Sequence, residues 1–178
     1  MSESKADRWL SWVALATAIM AVLAAVTTLY MGKYSSRAIL NQGQETSQWS
    51  YYQAKSIKSY IYEIQKQKLE LEMMALGERK SAALLEKYTR VMAGYDQQIL
   101  RYDKEKDEIK AKADALSKSK EDAQHRSGNF GYALIFIQIS IMLSSISALT
   151  KKHTLFYLGI ASLGGWLYFF VDAFLLFY

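Results

Sequence analysis

Asp172 is the residue whose position most directly suggests chemistry, because it lies inside an apolar run at 155–178. A carboxylate within a membrane-spanning helix is costly, so it commonly serves a function or pairs with a specific partner. Gln138 is the one strongly polar side chain of the preceding apolar run, 130–149. Counted as helix from the outer ends of their runs, the two side chains lie about 9 and 12 Å deep. We therefore expect Asp172 and Gln138 to meet at similar depth.

Thr27 and Thr28 lie near the outer end of another apolar run, 9–31, and would join this intramembrane polar cluster. Such a cluster could bind a cation or a proton, as in a small channel or transporter subunit. It could equally be a hydrogen-bonded clasp between helices, within one chain or between subunits. The position of Asp172 near the interface favours the clasp, and both interpretations stay open.

A second group of residues that needs a partner is aromatic and lies in the polar middle of the chain. Trp49 and Tyr52, three residues apart, share one face of a helix. Exposed aromatic side chains at this density indicate contact with another subunit, a small ligand or lipid headgroups, and we favour self-association. This candidate interaction surface comprises Trp49, Tyr51, Tyr52, Tyr60 and Tyr62.

Enzymatic chemistry finds little support in the sequence. There is no cysteine, and the two histidines, His125 and His153, are far apart along the chain. Zinc and thiol chemistry therefore lack their usual ligands and nucleophile. The acidic residues between 103 and 108 alternate with lysines and fall on different helix faces, which is typical of a solvated surface. We expect a non-enzymatic protein without catalytic residues, metal site or cofactor.

The composition is divided along the chain rather than mixed. Residues 32–127 contain 18 of the 22 Lys and Arg and 14 of the 17 Asp and Glu, whereas 9–31 has no charged residue. The net charge of +5 comes from interleaved signs without a basic block, which disfavours nucleic-acid binding. The chain contains no proline, as long uninterrupted helices require.

Three apolar runs are each long enough to cross a lipid bilayer as a helix. The first could instead be a cleaved signal peptide, but its length favours an uncleaved anchor. The second and third are joined by a short turn, so they must form an antiparallel pair. We predict an all-α membrane protein in the order N-terminal tail 1–8, span 9–31, extramembrane hairpin 32–127, span 128–149, basic turn 150–154 and span 155–178.

The extramembrane segment carries the pattern of a long antiparallel coiled-coil hairpin. Apolar residues recur at alternating spacings of three and four, which is the repeat of a coiled coil. Gly77 and Ser81 supply a helix C-terminus and an N-cap, so the chain is expected to turn near 76–81. The predicted seam consists of Leu85, Tyr88, Met92, Tyr95, Ile99, Tyr102, Ile109 and Leu116 in the second arm, and of Ile57, Ile61, Ile64 and Leu71 in the first.

The short polar segments predict the orientation in the membrane. Lys5 and Arg8 in the tail and Lys151 and Lys152 in the turn would lie on one side of a three-span protein. Positively charged residues of short segments favour the cytoplasm. The N-terminus and the 150–154 turn are therefore expected in the cytoplasm, and the hairpin is expected to project outward on the opposite side.

Three stretches of the sequence carry a resemblance to a known family: RWLSWVAL at 8–15, QWSYYQAKSIK at 48–58 and RYDKEKDEI at 101–109. They resemble a bacterial membrane-protein family catalogued only as a domain of unknown function, number 4337. The similarity runs through essentially the whole chain, and Trp-x-Tyr-Tyr-Gln-Ala-Lys is its most specific part. It implies a bacterial source, agrees with the three-span plan and brings no catalytic residues.

These features together predict a multi-pass protein of the bacterial inner (cytoplasmic) membrane. The expected function is that of a homo-oligomeric scaffold or envelope spacer, with the lipid bilayer, further copies of the chain and an envelope protein as expected partners. The alternative is a small channel or transporter subunit that uses Asp172 and Gln138. A third possibility, a cytoplasmic adaptor, applies if the orientation is reversed.

Overall fold

The protein folds as three helices in a computed structural model that describes residues 5–77 and 81–176, with side chains from Arg8 onward. The helices are α1 (Lys5–Ala75), α2 (Ala82–Thr150) and α3 (His153–Leu175). Each contains a stretch that is long and apolar enough to cross a membrane. The predicted all-α fold with three candidate spans is therefore confirmed, and it is consistent with a multi-pass membrane protein.

The glycine and serine that the sequence singles out flank the connection between α1 and α2; positions 78–80 of the predicted 76–81 turn lie outside the described residues. Gly77 has φ +51°, a left-handed conformation that glycine adopts without a Cβ penalty. On the other side of the turn, the backbone N–H of Leu84 donates to the Ser81 hydroxyl at 3.2 Å. This side chain therefore satisfies one of the amides that the start of a helix leaves without an intrahelical partner.

The turn between α2 and α3 is shorter than the predicted 150–154 segment, because α2 continues through Thr150 and α3 begins at His153. Lys151 has φ +55° and Lys152 is extended. The Ser147 hydroxyl donates to the Lys152 carbonyl at 2.7 Å, which fastens the turn to the last turn of α2. A two-residue connection makes α2 and α3 antiparallel neighbours.

The chain divides into two compact units. The described parts of Met1–Leu40 and Ser119–Tyr178 form the span unit, and Asn41–Lys118 forms the hairpin unit. The hairpin unit is shorter than the predicted 32–127 hairpin. Ala38 and Ala123, which lie beyond the apolar runs in sequence, are buried in the span unit.

The core of the span unit is aromatic at one end. Phe130 is fully buried and stacks with Tyr30 and Tyr34 of α1 at ring-centroid distances of 5.6 and 5.8 Å. Phe170 and Phe174 of α3 meet the same ring edge-on at 5.4 and 5.3 Å. One side chain of α2 thus joins all three helices of this unit.

Two glycines of α3 allow α2 and α3 to approach closely. A Cβ atom built on Gly159 would lie 3.1 Å from the Ser140 carbonyl oxygen, and one on Gly165 would lie 2.7 Å from the Phe136 ring. Between them, the Ser162 hydroxyl donates to the Phe136 carbonyl at 2.9 Å. Small residues and interhelical hydrogen bonds of this kind hold helices together where no hydrophobic effect acts between them.

In the hairpin unit, the predicted seam of the α2 arm faces α1. Tyr102 and Ile109 are buried, and the other predicted seam residues of this arm are half-buried apart from Leu85, which is 44% exposed. A three–four spacing keeps these side chains on one face of the helix.

In the arm from α1, the predicted seam is wrong. Ile57, Ile61, Ile64 and Leu71 are 60, 47, 64 and 66% exposed. A different three–four series, displaced by two residues, contacts α2. We call it the inner series; it comprises Gln48, Tyr52, Lys55, Ser59, Tyr62, Lys66, Leu69, Met73 and Leu76, all of them buried or half-buried.

The inner series is selected by complementarity to α2 rather than by apolarity. Lys55 lies 2.5 Å from Glu105, and the Tyr62 ring contacts the rings of Tyr95 and Tyr102 at 5.6 and 6.0 Å. The α2 seam is itself rich in tyrosine, and both the Tyr62 ring and the Lys55 ammonium group contact Tyr102 there. The aliphatic series is left on the outside.

Candidate functional site

The buried carboxylate of Asp172 has a partner on α2. The Asp172 side chain is 5% exposed, and the Asn129 amide nitrogen donates to its Oδ2 at 2.6 Å. The carbonyl of the same residue accepts from the Leu176 amide at 2.7 Å, where the chain turns left-handed at the end of α3. Asp172 therefore holds the C-terminal end of α3 through both its side chain and its backbone.

The expected meeting of Asp172 and Gln138 is wrong. Gln138 is exposed and lies nine residues beyond Asn129 along α2, about 13 Å as helix. The expected depths of about 9 and 12 Å assumed that the outer ends of the two apolar runs lie at the same level in the membrane. The close contact of Gly165 with Phe136 and the Asn129–Asp172 hydrogen bond set a different register.

Arg126 completes the polar group around Asn129 and Asp172. Its Nη1 donates to the carbonyls of Ala173 and Phe174 at 3.0 and 2.7 Å. The guanidinium also lies over the Tyr34 ring, 5.7 Å from its centroid. A cation at the last carbonyls of a helix satisfies their hydrogen bonding and interacts favourably with the helix dipole.

Thr27 and Thr28 do not share a site. Thr27 is fully buried, donates to the Leu23 carbonyl at 2.8 Å and accepts from the Trp166 indole nitrogen at 3.1 Å. Thr28 is exposed and donates to the Ala24 carbonyl at 2.9 Å. The indole contact makes Thr27 a link between α1 and α3.

The candidate aromatic surface is divided between two faces of α1. Tyr52 and Tyr62 belong to the inner series and are half-buried. Trp49, Tyr51 and Tyr60 are 36, 62 and 59% exposed. The Trp49 and Tyr52 rings meet edge-on at 5.7 Å, so Trp49 partly covers the margin of the inner series.

The exposed aliphatic side chains of the α1 arm form a continuous surface. They repeat at alternating spacings of four and three, which keeps them on one helix face. We call this surface the outer stripe; it consists of Ile57, Ile61, Ile64, Lys68, Leu71 and Ala75.

Charge pairs between the arms shift the pKa values of Glu105 and Lys66. The hydrogen bond from Lys55 lowers the pKa of Glu105, with Arg101 adding to the effect. The hydrogen bond to Asp96, at 2.7 Å, raises the pKa of Lys66. All four side chains are partly exposed, and solvent screening makes the contribution of such pairs to stability small.

Sequence reasoning missed Asn129, Arg126 and Trp166. Asn129 lies at the start of the predicted span 128–149, directly before the apolar run, where sequence alone gives no sign of a partner for Asp172. Trp166 lies within the third apolar run, where its spacing alone does not indicate a contact with Thr27. The inner series is largely polar and aromatic in its first two thirds, so apolar periodicity does not distinguish it from the other faces of the helix.

Comparison with known proteins identifies the family. Neither the curated proteins nor the solved structures provide a match to this chain. The family model described as domain of unknown function (DUF4337) matches residues 9–176, which include all three candidate spans and the hairpin unit. The chain therefore belongs to the DUF4337 family.

Proposed function

We propose that this protein is a non-enzymatic scaffold of the bacterial inner membrane that works as a homo-oligomer. Three spans anchor it, and the hairpin unit, in the periplasm, provides the surface on which copies assemble and an envelope protein binds. The positive charges of Arg8, Lys151 and Lys152 support this orientation.

The observation that carries the proposal is the outer stripe of α1. Soluble surfaces rarely expose a contiguous apolar patch unless it contacts a partner. Within the hairpin unit, Lys55 and Lys66 occupy inner-series positions where a stable coiled coil has aliphatic residues, and they pair with Glu105 and Asp96 of α2. The most hydrophobic face of this arm, the outer stripe, is therefore exposed and can bind another molecule.

The channel alternative loses the pairing on which it depended. Gln138 is exposed and distant from Asp172, and Asp172 is hydrogen-bonded to Asn129 at the end of α3. This arrangement supports a clasp between helices, which is the role we assign to it.

The mass of the complex in native lipid discs tests the proposal. We expect a defined multimer when the full chain is extracted from membranes with its own lipid and measured by native mass spectrometry. The matched control is a double variant, Ile61→Lys with Ile64→Lys, whose new charges lie on the outer stripe. A wild-type chain that is monomeric at every concentration would contradict the scaffold function.

A further inference from the structure

We infer that the outer stripe is the seam through which copies of this chain associate, with their α1 arms parallel and in register. The inference rests on the homo-oligomeric scaffold proposed above and assigns its interface. The occupant of the stripe is thus a second copy of α1.

The spacing of the stripe is that of a helix–helix seam. From Ile57 to Ala75 the steps are four, three, four, three and four. This period of 3.5 residues is the one that lets two helices stay in contact by supercoiling around each other. The inner series has the same period two residues away, so the arm carries two seams. One contacts α2 of its own chain, and the other is exposed.

The flanking residues permit a parallel contact without repulsion. In a parallel pair, a residue just before a core position faces the residue five further along on the partner helix. Here Tyr60 would face Gln65, and Gln67 would face Glu72. Neither pair brings like charges together, so these flanking positions do not oppose the contact.

Lys68 is the one charged member of the stripe, and its Nζ lies 4.0 Å from Glu72 Oε1 of the same arm. With the copies in register, the two Lys68 side chains meet in one layer of the seam, and the Glu72 carboxylates beside them offset their like charge. A lysine at a core position lowers the stability of such a seam.

The exposed area is sufficient for a specific interface. Ile57, Ile61, Ile64 and Leu71 are each about half or more exposed, and Tyr60 and Met74 beside them are 59 and 72% exposed. These six side chains leave on the order of 100 Å² each in solvent, about 600 Å² together, which is the lower end of what each partner of a standard interface buries.

Chain order explains why the contact is parallel. In every copy the α1 arm directly follows the first candidate span, so its N-terminal end is attached to the bilayer. Copies inserted into one membrane with the same topology therefore present their arms in the same direction.

Cysteine cross-linking tests this seam directly, since the chain contains no cysteine of its own. Single substitutions at successive positions from 57 to 71 are placed in the full chain, in lipid vesicles, and oxidised briefly. The fraction of covalent dimer is read on a non-reducing gel. Ile57→Cys, Ile61→Cys and Ile64→Cys should cross-link several-fold faster than the matched inner-series controls Ser59→Cys and Tyr62→Cys, at all lipid dilutions.

A second variant measures the same surface without a cross-link. Ile61→Lys should weaken self-association about tenfold or more, as expected when a central anchor of an interface is replaced. A multimer whose cross-linking is fastest at 59 or 62, or is independent of position, would overturn the seam and leave the scaffold standing. A monomeric wild type would overturn both.

Discussion

Asn129 of α2 donates a 2.6 Å hydrogen bond to the buried carboxylate of Asp172 of α3. This contact lies at the end of the span unit where Arg126 caps the last carbonyls of α3. A carboxylate that looked like a candidate ion site by its place in the sequence is thus part of a clasp between two helices.

The clasp predicts an asymmetry between two amide side chains of α2. Asn129→Leu removes the donor to a buried carboxylate and should lower the free energy of unfolding by about 1–3 kcal/mol. Gln138→Leu makes the same chemical change at an exposed position and should have a much smaller effect. Thermal unfolding in one detergent compares the two variants. Equal losses would contradict the clasp.

Neighbouring glycines of α3 should respond differently to one methyl group. Gly165→Ala places a Cβ within 3 Å of the Phe136 ring and is expected to cost about 1–3 kcal/mol through overpacking. Gly164→Ala meets open space and should be neutral or slightly stabilising. The difference in melting temperature between the two variants is the readout, and a more damaging change at Gly164 would show that α2 and α3 pack in another register.

Two glycines of the hairpin unit should give effects of opposite sign. Gly77 has φ +51°, so Gly77→Ala is expected to destabilise the turn by about 1–2 kcal/mol. Gly94 lies inside α2 with open space around it, and Gly94→Ala should stabilise the helix by about 0.5–1 kcal/mol. Chemical unfolding followed by helical circular dichroism measures both, and a stabilising Gly77→Ala would mean that the turn has a different backbone.

Glu105 should make the stability of the hairpin unit depend on pH in the acidic range. Its pKa is lowered by Lys55, so its contribution is fully present above the ordinary value of 4.5 and is lost as pH falls through the lowered pKa. In the variant Glu105→Gln, the melting temperature should depend less on pH in this acidic range than it does in the wild type. Glu108→Gln, an exposed acid three residues away, is the control and should keep the wild-type slope.

Lys66 should produce the opposite dependence at alkaline pH. Its pKa is raised by Asp96, so its contribution is complete below the ordinary value of 10.5 and is lost as pH rises through the raised pKa. Lys66→Met should remove this loss. A melting temperature that falls equally steeply above pH 10.5 in the variant would assign the effect to other groups.

The helices and the α2 seam were predictable because one signal dominates each of them. Long apolar runs, the absence of proline, and Gly77 with Ser81 leave few alternatives for helix bounds. In α2 a single three–four series is rich in apolar and aromatic residues, so apolarity alone identifies the face that contacts α1.

The α1 seam and the polar pair of the spans were not predictable in the same way. The α1 arm contains two three–four series, and the choice between them depends on which one complements the tyrosines and charges of α2. The partner of Asp172 depends on interhelical register, which Gly165 and Phe136 set through a contact that no single segment reveals. Both are tertiary properties.

The most direct test of this account asks which face of α1 contacts α2. The variant Lys66→Cys with Asp96→Cys replaces two side chains whose Nζ and Oδ1 atoms lie 2.7 Å apart across the arms. The matched variant, Ile64→Cys with Asp96→Cys, moves one thiol to the outer stripe. With a short thiol-to-thiol cross-linker, we expect the 66–96 pair to form an intrachain link and the 64–96 pair to form mainly links between copies. Efficient intrachain linking of 64 with 96, and none of 66 with 96, would show that the aliphatic series lies between the arms and would contradict the account.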